Sequence, residues 1–369
     1  MLAFHQQDLA ALAARDRLRT LQPRLAVDLA SNDYLGLAAS PRLAAAVTDA
    51  IARGVPVGAG GSRLLHGNHP EHEALEAEAA AFLGPESCLF FSSGYAANVA
   101  LLATLPQPAD VIVHDALIHA SAREGLRLAR APAIEVPHND AAAVEVAIRN
   151  WRAAGNTGTP WIAVESLYSM DGDTAPLADL SAIAERHDAM LLVDEAHATG
   201  VFGARGQGLA TPSPRTITLH TCGKALGCEG ALVAGPTVMR DFLVNRGRGF
   251  IFSTAPSPLM ASAVREALRI LRDEPERRAA LHTRIASAGR LFAPHGATPT
   301  GTPIMPLILG DDGTTMRTAA ALQAHGFDIR GIRPPTVPAG TARLRLSITL
   351  NVRDEDLAAL ATLLPQVLP

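Results

Sequence analysis

Short apolar segments alternate with helix-like segments along most of this chain, and this alternation constrains the fold more than any other feature. The apolar segments have the length of buried strands: Cys88–Phe91, Asp110–Val113, Trp161–Val164, Met190–Val193, Thr216–Leu219 and Ala231–Ala234. Segments rich in alanine, leucine and glutamate lie between several of them and predict helices: Pro70–Phe82, Ala96–Thr104, Ala141–Ala153 and Leu177–His187. Strands that are apolar almost throughout are typical of a mostly parallel sheet covered by helices on both faces. The sequence therefore predicts an α/β fold, in which ligands bind at the carboxyl ends of the strands.

The pattern changes near residue 260, where a smaller α+β domain is expected to begin. Helices and strands are predicted there at Pro258–Arg272, Pro275–Ala293, Ile304–Leu309 and Thr341–Leu350, with a terminal helix from Asp354. The first segment, Met1–Leu21, carries charges among its alanines and lacks the unbroken apolar core of a signal peptide, so an amphipathic helix is expected. We thus expect an N-terminal helix and arm (residues 1–38), a large domain (39–260) and a small C-terminal domain (261–369).

Charge and cysteine content exclude several classes of partner. The chain of 369 residues has a formal net charge of −4 and no block of lysines or arginines, so neither nucleic acid nor an anionic membrane is an expected partner. No segment approaches the roughly 20 apolar residues of a membrane span. The cysteines, Cys88, Cys222 and Cys228, are too sparse for a disulfide framework and suit a reducing compartment. A soluble, cytoplasmic protein is expected.

Two predicted strands end next to an acid and a lysine. The segment Met190–His197 delivers Asp194, and the segment Thr221–Ala225 delivers Lys224. A buried carboxylate that binds a pyridinium nitrogen and a lysine that forms a Schiff base are the groups that a protein supplies to pyridoxal phosphate (PLP). The same acidic segment resembles a helicase box, but no G-x-x-x-x-G-K-[ST] phosphate loop accompanies it. The residues therefore predict a PLP site.

A phosphate group is expected at the start of a helix that follows a strand. Ser93, Gly94 and Tyr95 come directly after the strand Cys88–Phe91 and begin a predicted helix, whose first backbone N–H groups can bind an anion. The glycine-rich segment Gly58–Arg63 is a second candidate. Neither segment identifies a phosphate site by itself.

A metal site is not expected. His66, His69 and His72 recur every third residue, but Pro70 interrupts the run, so the three imidazoles need not share a helix face. The spacing of the last two cysteines does not suit a zinc site.

The segment Thr341–Leu350 alternates between apolar and polar residues and so places Arg343 and Arg345 on one face of a strand. Two interpretations stay open. The face is a solvated one with scattered charge, or an arginine on it binds a carboxylate through two parallel hydrogen bonds.

Together these motifs resemble the α-oxoamine synthase family of fold-type I PLP enzymes, from about Ser31 to the C-terminus. The resemblance is carried by Ser31–Gly36, Gly58–Arg63, Ser93–Asn98, His119–Ser121, Ser169–Asp173, Val193–His197 and Phe252–Thr254. One departure is Cys222, since the family usually places a bulkier side chain there. The change should leave the lysine chemistry untouched, although it could loosen the packing beside the lysine.

The resemblance implies a role for four residues around the cofactor ring. Lys224 would form the Schiff base and would then act as general base and general acid. Asp194 would keep the pyridine nitrogen protonated, because a nearby carboxylate favours the cationic form. His119 would stack on the ring, and His197 would bind the phenolic oxygen. Lys224, Asp194 and His119 are thus the expected catalytic residues.

The resemblance also implies contacts for the remaining groups of cofactor and substrate. For the cofactor they are Ser93, Gly94 and Tyr95 at the phosphate, Ser169 and Thr221 in the polar lining, and Ser253 and Thr254 from a neighbouring subunit. Asn32 and Arg345 would bind the carboxylate of an amino acid. A site that shares residues between subunits predicts a homodimer, most simply with twofold symmetry.

The implied reaction is the decarboxylative condensation of an amino acid with an acyl thioester. The segment Ile332–Pro338, with Arg333 and Thr336 as substrate-binding residues, favours the members of biotin biosynthesis that join L-alanine to a pimeloyl thioester. Glycine C-acetyltransferase and 5-aminolevulinate synthase are the alternatives within the family. The carrier of the donor, coenzyme A or acyl carrier protein, is left open. Outside the family, a non-catalytic scaffold conflicts with the intact Lys224 and Asp194, and a nucleotide-binding module conflicts with the missing phosphate loop.

Overall fold

The computed structural model describes residues 2–369 and contains the strands and helices that the sequence predicts, with bounds that differ by a few residues except at the N-terminal helix. In chain order the strands are β1 (Val27–Asp28), β2 (Ser87–Phe91), β3 (Val111–Asp115), β4 (Ala133–Val136), β5 (Pro160–Glu165), β6 (Met190–Asp194), β7 (Thr216–Thr221), β8 (Ala231–Gly235), β9 (Ile304–Gly310), β10 (Phe327–Asp328), β11 (Arg330–Ile332) and β12 (Ala342–Ser347). The α-helices are α1 (Ala3–Ala13), α2 (Pro41–Ala52), α3 (Pro70–Leu83), α4 (Gly94–Thr104), α5 (Ala120–Leu128), α6 (Ala141–Ala153), α7 (Leu177–Arg186), α8 (Thr237–Arg246), α9 (Arg248–Ile251), α10 (Pro258–Asp273), α11 (Pro275–Phe292), α12 (Asp312–Ala324) and α13 (Asp354–Val367).

The described residues form two compact units. The larger unit consists of Leu35–Tyr168 and Thr174–Arg278, and the smaller one of the N-terminal residues as far as Tyr34, together with Ser169–Asp173 and Ala279–Pro369. These bounds differ from the expected domains 1–38, 39–260 and 261–369. Helix α10 belongs to the larger unit because it packs against α2 and α3. The N-terminal arm belongs to the smaller unit because β1 pairs with β10.

The larger unit contains a seven-stranded sheet with the strand order β2-β8-β7-β6-β5-β3-β4 in the described chain. Strands β4, β3, β5, β6 and β7 are parallel neighbours, whereas β8 is antiparallel to both β7 and β2. The predicted α/β fold with a mostly parallel sheet is therefore confirmed. The sequence did not predict β4, because three of its four residues are only partly buried or exposed and it lacks an apolar run.

Helices cover both faces of this sheet because its strands carry apolar side chains on both sides. Ile112 and Leu192 point to one face, where they pack into a core with residues of α4 and α8. Val113 and Val193, one position further along the same strands, pack into a second core with residues of α6 and α7. Because β2 and β7 run in the same direction, the carboxyl ends of β2, β3, β5, β6 and β7 all lie at one edge of the sheet.

The smaller unit contains the antiparallel sheet β11-β12-β9 and the parallel pair of β1 and β10. Strand β12 is shorter than the predicted Thr341–Leu350. It ends at Ser347, and the next backbone N–H, that of Ile348, donates to the carbonyl of Pro303 at 2.8 Å. All residues of β12 are buried, so the interpretation of its arginine face as solvated is wrong.

The N-terminal helix is also shorter than expected. Met1 lies outside the described residues, and α1 ends at Ala13 rather than near Leu21. The described residues of α1 include no buried one, since apolar side chains such as Phe4 and Leu9 are exposed. Alanines surround the helix axis, so no continuous apolar stripe forms and the predicted amphipathic character is absent. Residues 2–369 include no helix that is long and apolar enough to cross a membrane.

Candidate active site

Two adjacent parallel strands bring the predicted acid and lysine to the same edge of the sheet. Strand β6 ends at Asp194, and β7 ends at Thr221, from which Lys224 follows in the connecting loop. Asp194 is buried and Lys224 is half-buried. Lys224 Nζ lies 2.8 Å from Nε2 of His197, which itself follows β6. The amine and the predicted partner of the cofactor's phenolic oxygen are therefore in contact.

The Asp194 carboxylate is held by two donors. Its Oδ1 accepts a hydrogen bond from the Ala196 backbone N–H at 2.9 Å, and its Oδ2 accepts one from Asn98 Nδ2 at 2.7 Å. A carboxylate offers about four lone-pair directions, so both oxygens retain capacity for another donor. The group can therefore still bind a protonated ring nitrogen.

His119 lies at the same edge, where it caps the N-terminus of α5 just after β3. Its Nδ1 lies 2.7 Å from Ser121 Oγ and 3.3 Å from the Ser121 backbone nitrogen. Although the side chain keeps exposed surface, desolvation lowers the pKa of His119. The Asp194 carboxylate raises this pKa and the Lys224 ammonium lowers it, and the net shift is downward. A neutral imidazole is thus favoured, with a flat ring available for stacking.

The N-terminus of α4 lies next to the end of β7. Ser93 caps this helix, since its Oγ accepts a hydrogen bond from the Ala96 backbone N–H at 3.1 Å. The N–H groups of Gly94 and Tyr95 precede the first intrahelical hydrogen bond and have no acceptor within the helix. A Cβ placed on Gly94 would lie 3.5 Å from Thr221 Oγ1, so the helix start is close to this strand end. Free N–H groups at a helix start are suited to a phosphate.

These groups fit the chemistry of PLP. The larger unit places an amine, a buried carboxylate, an imidazole and a helix N-terminus at one sheet edge, and PLP offers an aldehyde, a pyridine nitrogen, an aromatic face and a phosphate to match them. The donor set is that of a PLP site.

Ser253 and Thr254 follow α9 in a partly exposed segment. The hydroxyl of Ser253 donates to the carbonyl of Gly249 at 2.6 Å, and Thr254 is exposed. Their expected contact with the phosphate of a neighbouring subunit stays a prediction.

The smaller unit brings together the predicted carboxylate-binding residues. Arg345 Nε donates to the Ser169 carbonyl at 2.6 Å, and its terminal nitrogens donate to Ser347 Oγ at 2.7 Å and to Asn32 Oδ1 at 3.0 Å. Arg345 is 6% exposed, and its partners among the described residues are all neutral oxygens, the Tyr34 hydroxyl at 3.5 Å included. A buried guanidinium without a carboxylate partner suits an anionic substrate group. The expected cofactor contact of the Ser169 hydroxyl stays a prediction.

Arg343, two residues earlier on β12, is paired within the protein. Its guanidinium contacts Asp171 Oδ1 at 2.5 Å and the Met170 carbonyl at 3.3 Å. Its charge is therefore offset, and it has a structural role that differs from both a solvated face and a substrate site.

Arg333 and Thr336 lie in the segment that the sequence assigns to the substrate. Arg333 is 9% exposed, and its guanidinium donates to the carbonyls of Leu18 and Gly331, while its buried Nε has no hydrogen-bond partner among the described residues. Desolvation lowers the pKa of Arg333, and the nearby Arg19 lowers it further. Thr336 Oγ1 accepts a hydrogen bond from Arg19 at 3.1 Å. Asp312 and Asp16 raise the pKa of Arg333, so charges of both signs lie near this residue.

The histidine run has a structural role in the part of the chain that the structure describes. His69 caps α3, and Nε2 of the buried His72 lies 2.8 Å from the Pro256 carbonyl. Among residues 2–369 no group of three histidine, cysteine, aspartate or glutamate side chains could hold a metal. Cys222 is buried, and burial raises the pKa of its thiol; its effect on the packing beside Lys224 stays a prediction.

Sequence reasoning missed two residues that contact the site, Asn98 and Ser121. Both lie inside motifs that carry the family resemblance, but only other residues of those motifs were predicted to contact the cofactor. The available signal was helical spacing, since Asn98 follows Gly94 by one turn of α4 and so faces the same strand ends.

Comparisons with known proteins agree with this geometry. Residues 25–364 match the family "Aminotransferase class I and II". The chain is 43% identical to the 8-amino-7-oxononanoate synthase of Mycolicibacterium smegmatis, over 100% of this chain and 96% of that protein, and 40% identical to that of Anaeromyxobacter dehalogenans, over 98% and 96%. The serine palmitoyltransferase of S. paucimobilis with a bound PLP–myriocin aldimine superposes with a TM-score of 0.88 at 24% identity, covering 99% of this chain and 97% of that one. The 8-amino-7-oxononanoate synthase of Francisella tularensis superposes with a TM-score of 0.74 at 25% identity, covering 92% and 96%.

Proposed function

This chain belongs to the aminotransferase class I and II family and, within it, to the 8-amino-7-oxononanoate synthases, and we propose that it condenses L-alanine with a pimeloyl thioester. The products are 8-amino-7-oxononanoate, CO2 and a free thiol, as in biotin biosynthesis. The observation that carries this proposal is the 43% identity to a synthase of that name, which extends over 100% of the chain. The enzyme is a PLP-dependent acyltransferase.

When bound, PLP supplies an electron-accepting ring that stabilises negative charge on Cα of the amino acid. On this chain Lys224 would hold PLP covalently through Nζ, Asp194 would bind the ring nitrogen, His119 would cover the ring and His197 would bind the phenolic oxygen. The phosphate and the polar edge would be bound by Ser93, Gly94, Tyr95, Ser169 and Thr221.

Lys224 is the proposed proton carrier. After the alanine amine has displaced Nζ from PLP, the free Nζ would take the Cα proton of alanine before the new carbon–carbon bond forms, and it would return a proton to Cα after CO2 has left. His197, whose Nε2 lies 2.8 Å from Nζ, keeps the amine at the strand end between these two steps.

Arg345 and Asn32 are proposed to orient the amino acid. The Arg345 guanidinium is already fixed by Ser169, Ser347 and Asn32, so little side-chain entropy is lost when it binds a carboxylate. The preformed arrangement supports binding of the alanine carboxylate at this position.

Arg333 and Thr336, together with Arg19, are proposed to contact the pimeloyl donor. The guanidinium groups of Arg333 and Arg19 would attract the terminal carboxylate of a dicarboxylic acyl chain. An acetyl donor has no terminal carboxylate and would not be attracted in this way.

We further propose a cytoplasmic homodimer in which Ser253 and Thr254 of one subunit bind the phosphate held by the other. The donor would be carried by coenzyme A or by acyl carrier protein, which share the phosphopantetheine arm. An active monomer at concentrations well below micromolar, detected by sedimentation, would exclude the shared site.

A turnover assay tests the reaction. Purified enzyme loaded with PLP is given alanine, glycine or serine with pimeloyl-, acetyl- or succinyl-coenzyme A, and thiol release and product mass are followed. We expect product from alanine with the pimeloyl donor alone. Turnover of glycine with the acetyl or succinyl donor would instead identify a sister activity such as glycine C-acetyltransferase.

A further inference from the structure

A buried asparagine links two of the side chains that are proposed to contact the PLP ring. Asn98 is 2% exposed, and its Nδ2 lies 2.7 Å from Asp194 Oδ2 and 3.0 Å from Ser121 Oγ. Ser121 is 1% exposed, and its Oγ lies 2.7 Å from His119 Nδ1. A continuous chain of hydrogen bonds therefore connects the imidazole with the carboxylate through two buried polar side chains.

The carboxylate determines the orientation of the Asn98 amide. An ionised carboxylate only accepts hydrogen bonds, so the amide NH2 must face Asp194, since the reversed amide would bring two acceptor oxygens together. The second amide hydrogen is then directed at Ser121 Oγ. The Oδ1 of Asn98 is buried without a hydrogen-bond partner among the described residues, so the site retains an unsatisfied acceptor while both amide hydrogens are used.

The direction of the remaining hydrogen bond follows from this orientation. Ser121 Oγ accepts from Asn98, so its own hydroxyl proton is free to be donated to His119 Nδ1. The Ser121 backbone N–H also points at Nδ1, at 3.3 Å. With two donors facing Nδ1, this nitrogen carries the lone pair, and the proton of the neutral ring is on Nε2.

We propose that Asn98 and Ser121 are positioning residues that fix His119 in its Nε2–H tautomer and orient the Asp194 carboxylate for the cofactor ring. The consequence for the ring rests on the proposed function, whereas the tautomer follows from the protein's own hydrogen bonds. If Asn98 only packed α4 against the sheet, its replacement would change stability and leave the tautomer as it is.

Two variants and a matched control test the proposal by NMR of enzyme labelled with nitrogen-15 histidine, with and without PLP. Asn98→Asp is nearly isosteric, and the new carboxyl group must share one proton with Asp194, because two carboxylates 2.7 Å apart cannot both be ionised. The oxygen that replaces Nδ2 then has no proton for Ser121, so the Ser121 hydroxyl should turn towards it. His119 Nδ1 would then donate to Ser121 Oγ, and the tautomer should invert to Nδ1–H. Ser121→Ala removes one donor from Nδ1, and the loss of one hydrogen bond should change the tautomer ratio by about fivefold.

The control is Ser87→Ala, a buried serine on β2 whose hydroxyl donates to the Gly235 carbonyl at 3.0 Å. This variant loses a comparable hydrogen bond and should leave His119 in the Nε2–H form. The His119 signals are assigned by their absence from the spectrum of His119→Gln. The proposal is refuted if Asn98→Asp leaves His119 in that form and Ser121→Ala leaves its tautomer ratio unchanged, or if the starting enzyme shows Nδ1–H. Should Asn98→Asp fail to fold, the Ser121→Ala result decides. Absence of turnover with every substrate pair would refute the proposed function but would not alter the NMR result.

Discussion

Arg343 and Arg345 offer a comparison within one strand, because both are buried but only one has a carboxylate partner in the protein. We expect Arg345→Lys to weaken the use of alanine, and Arg343→Lys to leave it nearly unchanged. Lysine keeps the positive charge in both variants. Only the planar guanidinium with its larger number of N–H donors is lost.

The size of the expected loss of kcat/KM follows from the hydrogen bonds of Arg345. Arg345 donates to Ser169 at 2.6 Å, to Ser347 at 2.7 Å and to Asn32 at 3.0 Å, so the three donors of a lysine ammonium cannot keep these bonds and also donate to a carboxylate. Losing one charge-assisted hydrogen bond costs about 1.5–3 kcal/mol, which corresponds to about a 10- to 150-fold lower kcat/KM for alanine. Arg343→Lys can keep its ion pair with Asp171, so we expect less than about a threefold change in kcat/KM.

The assay is thiol release at varied alanine and saturating pimeloyl donor, accompanied by urea unfolding of each variant. Both replacements should reduce stability, since each removes hydrogen bonds to buried oxygens, so unfolding serves as the control for general damage. Equal losses of kcat/KM in the two variants, or a loss below about threefold in Arg345→Lys, would refute the assignment of Arg345 to the substrate carboxylate.

Three further outcomes are expected. Lys224→Ala should abolish steady turnover in the thiol assay, because no other side chain is proposed to hold PLP and carry the Cα proton. Asp194→Asn should lower kcat by about 100-fold or more and change the pH dependence of the PLP absorbance, because the amide cannot keep the ring nitrogen protonated. Burial alone would raise the pKa of Glu71, but hydrogen bonds from two arginines and a serine hydroxyl lower it to about 2, from an ordinary 4.5. The stabilisation by this carboxylate is therefore complete above about pH 4.5 and is lost as the pH falls towards 2, so the urea midpoint of Glu71→Gln should depend less on pH in that range than that of the unchanged enzyme.

Most of the larger unit could be predicted from the sequence because the strands of a parallel sheet are apolar on both faces. Strand β6 is the example, since four apolar residues precede Asp194 and leave no plausible alternative to a buried strand. The edge strand β4 was missed for the same physical reason. A strand at the edge of a sheet needs less apolar surface, so Ala133–Val136 does not stand out from a loop.

The site was predictable where side chains follow strand ends and less so where they come from a helix interior. Asp194 is the last residue of β6, and Lys224 follows the end of β7 in the adjoining loop, so chain position implies spatial position. Asn98 lies in the middle of α4, and its contact with Asp194 depends on how the helix is rotated over the sheet. A motif marks the helix but does not specify that rotation.

The alternation of apolar and polar residues along a strand does not predict what covers each face of the strand. Strand β12 shows why this matters for function. The same pattern that placed two arginines on one face is compatible with solvent, with an internal ion pair and with a ligand. The structure excludes solvent for both, because Arg343 is 2% and Arg345 is 6% exposed.

A buried charge that lacks a partner is costly, so a fold normally pairs it, as Asp171 does for Arg343. Arg345 departs from this rule among the described residues, since its hydrogen-bond partners are all neutral oxygens. An anionic substrate group would restore the balance there, and it is the lack of a carboxylate partner, rather than the arginine pattern, that distinguishes Arg345 from Arg343.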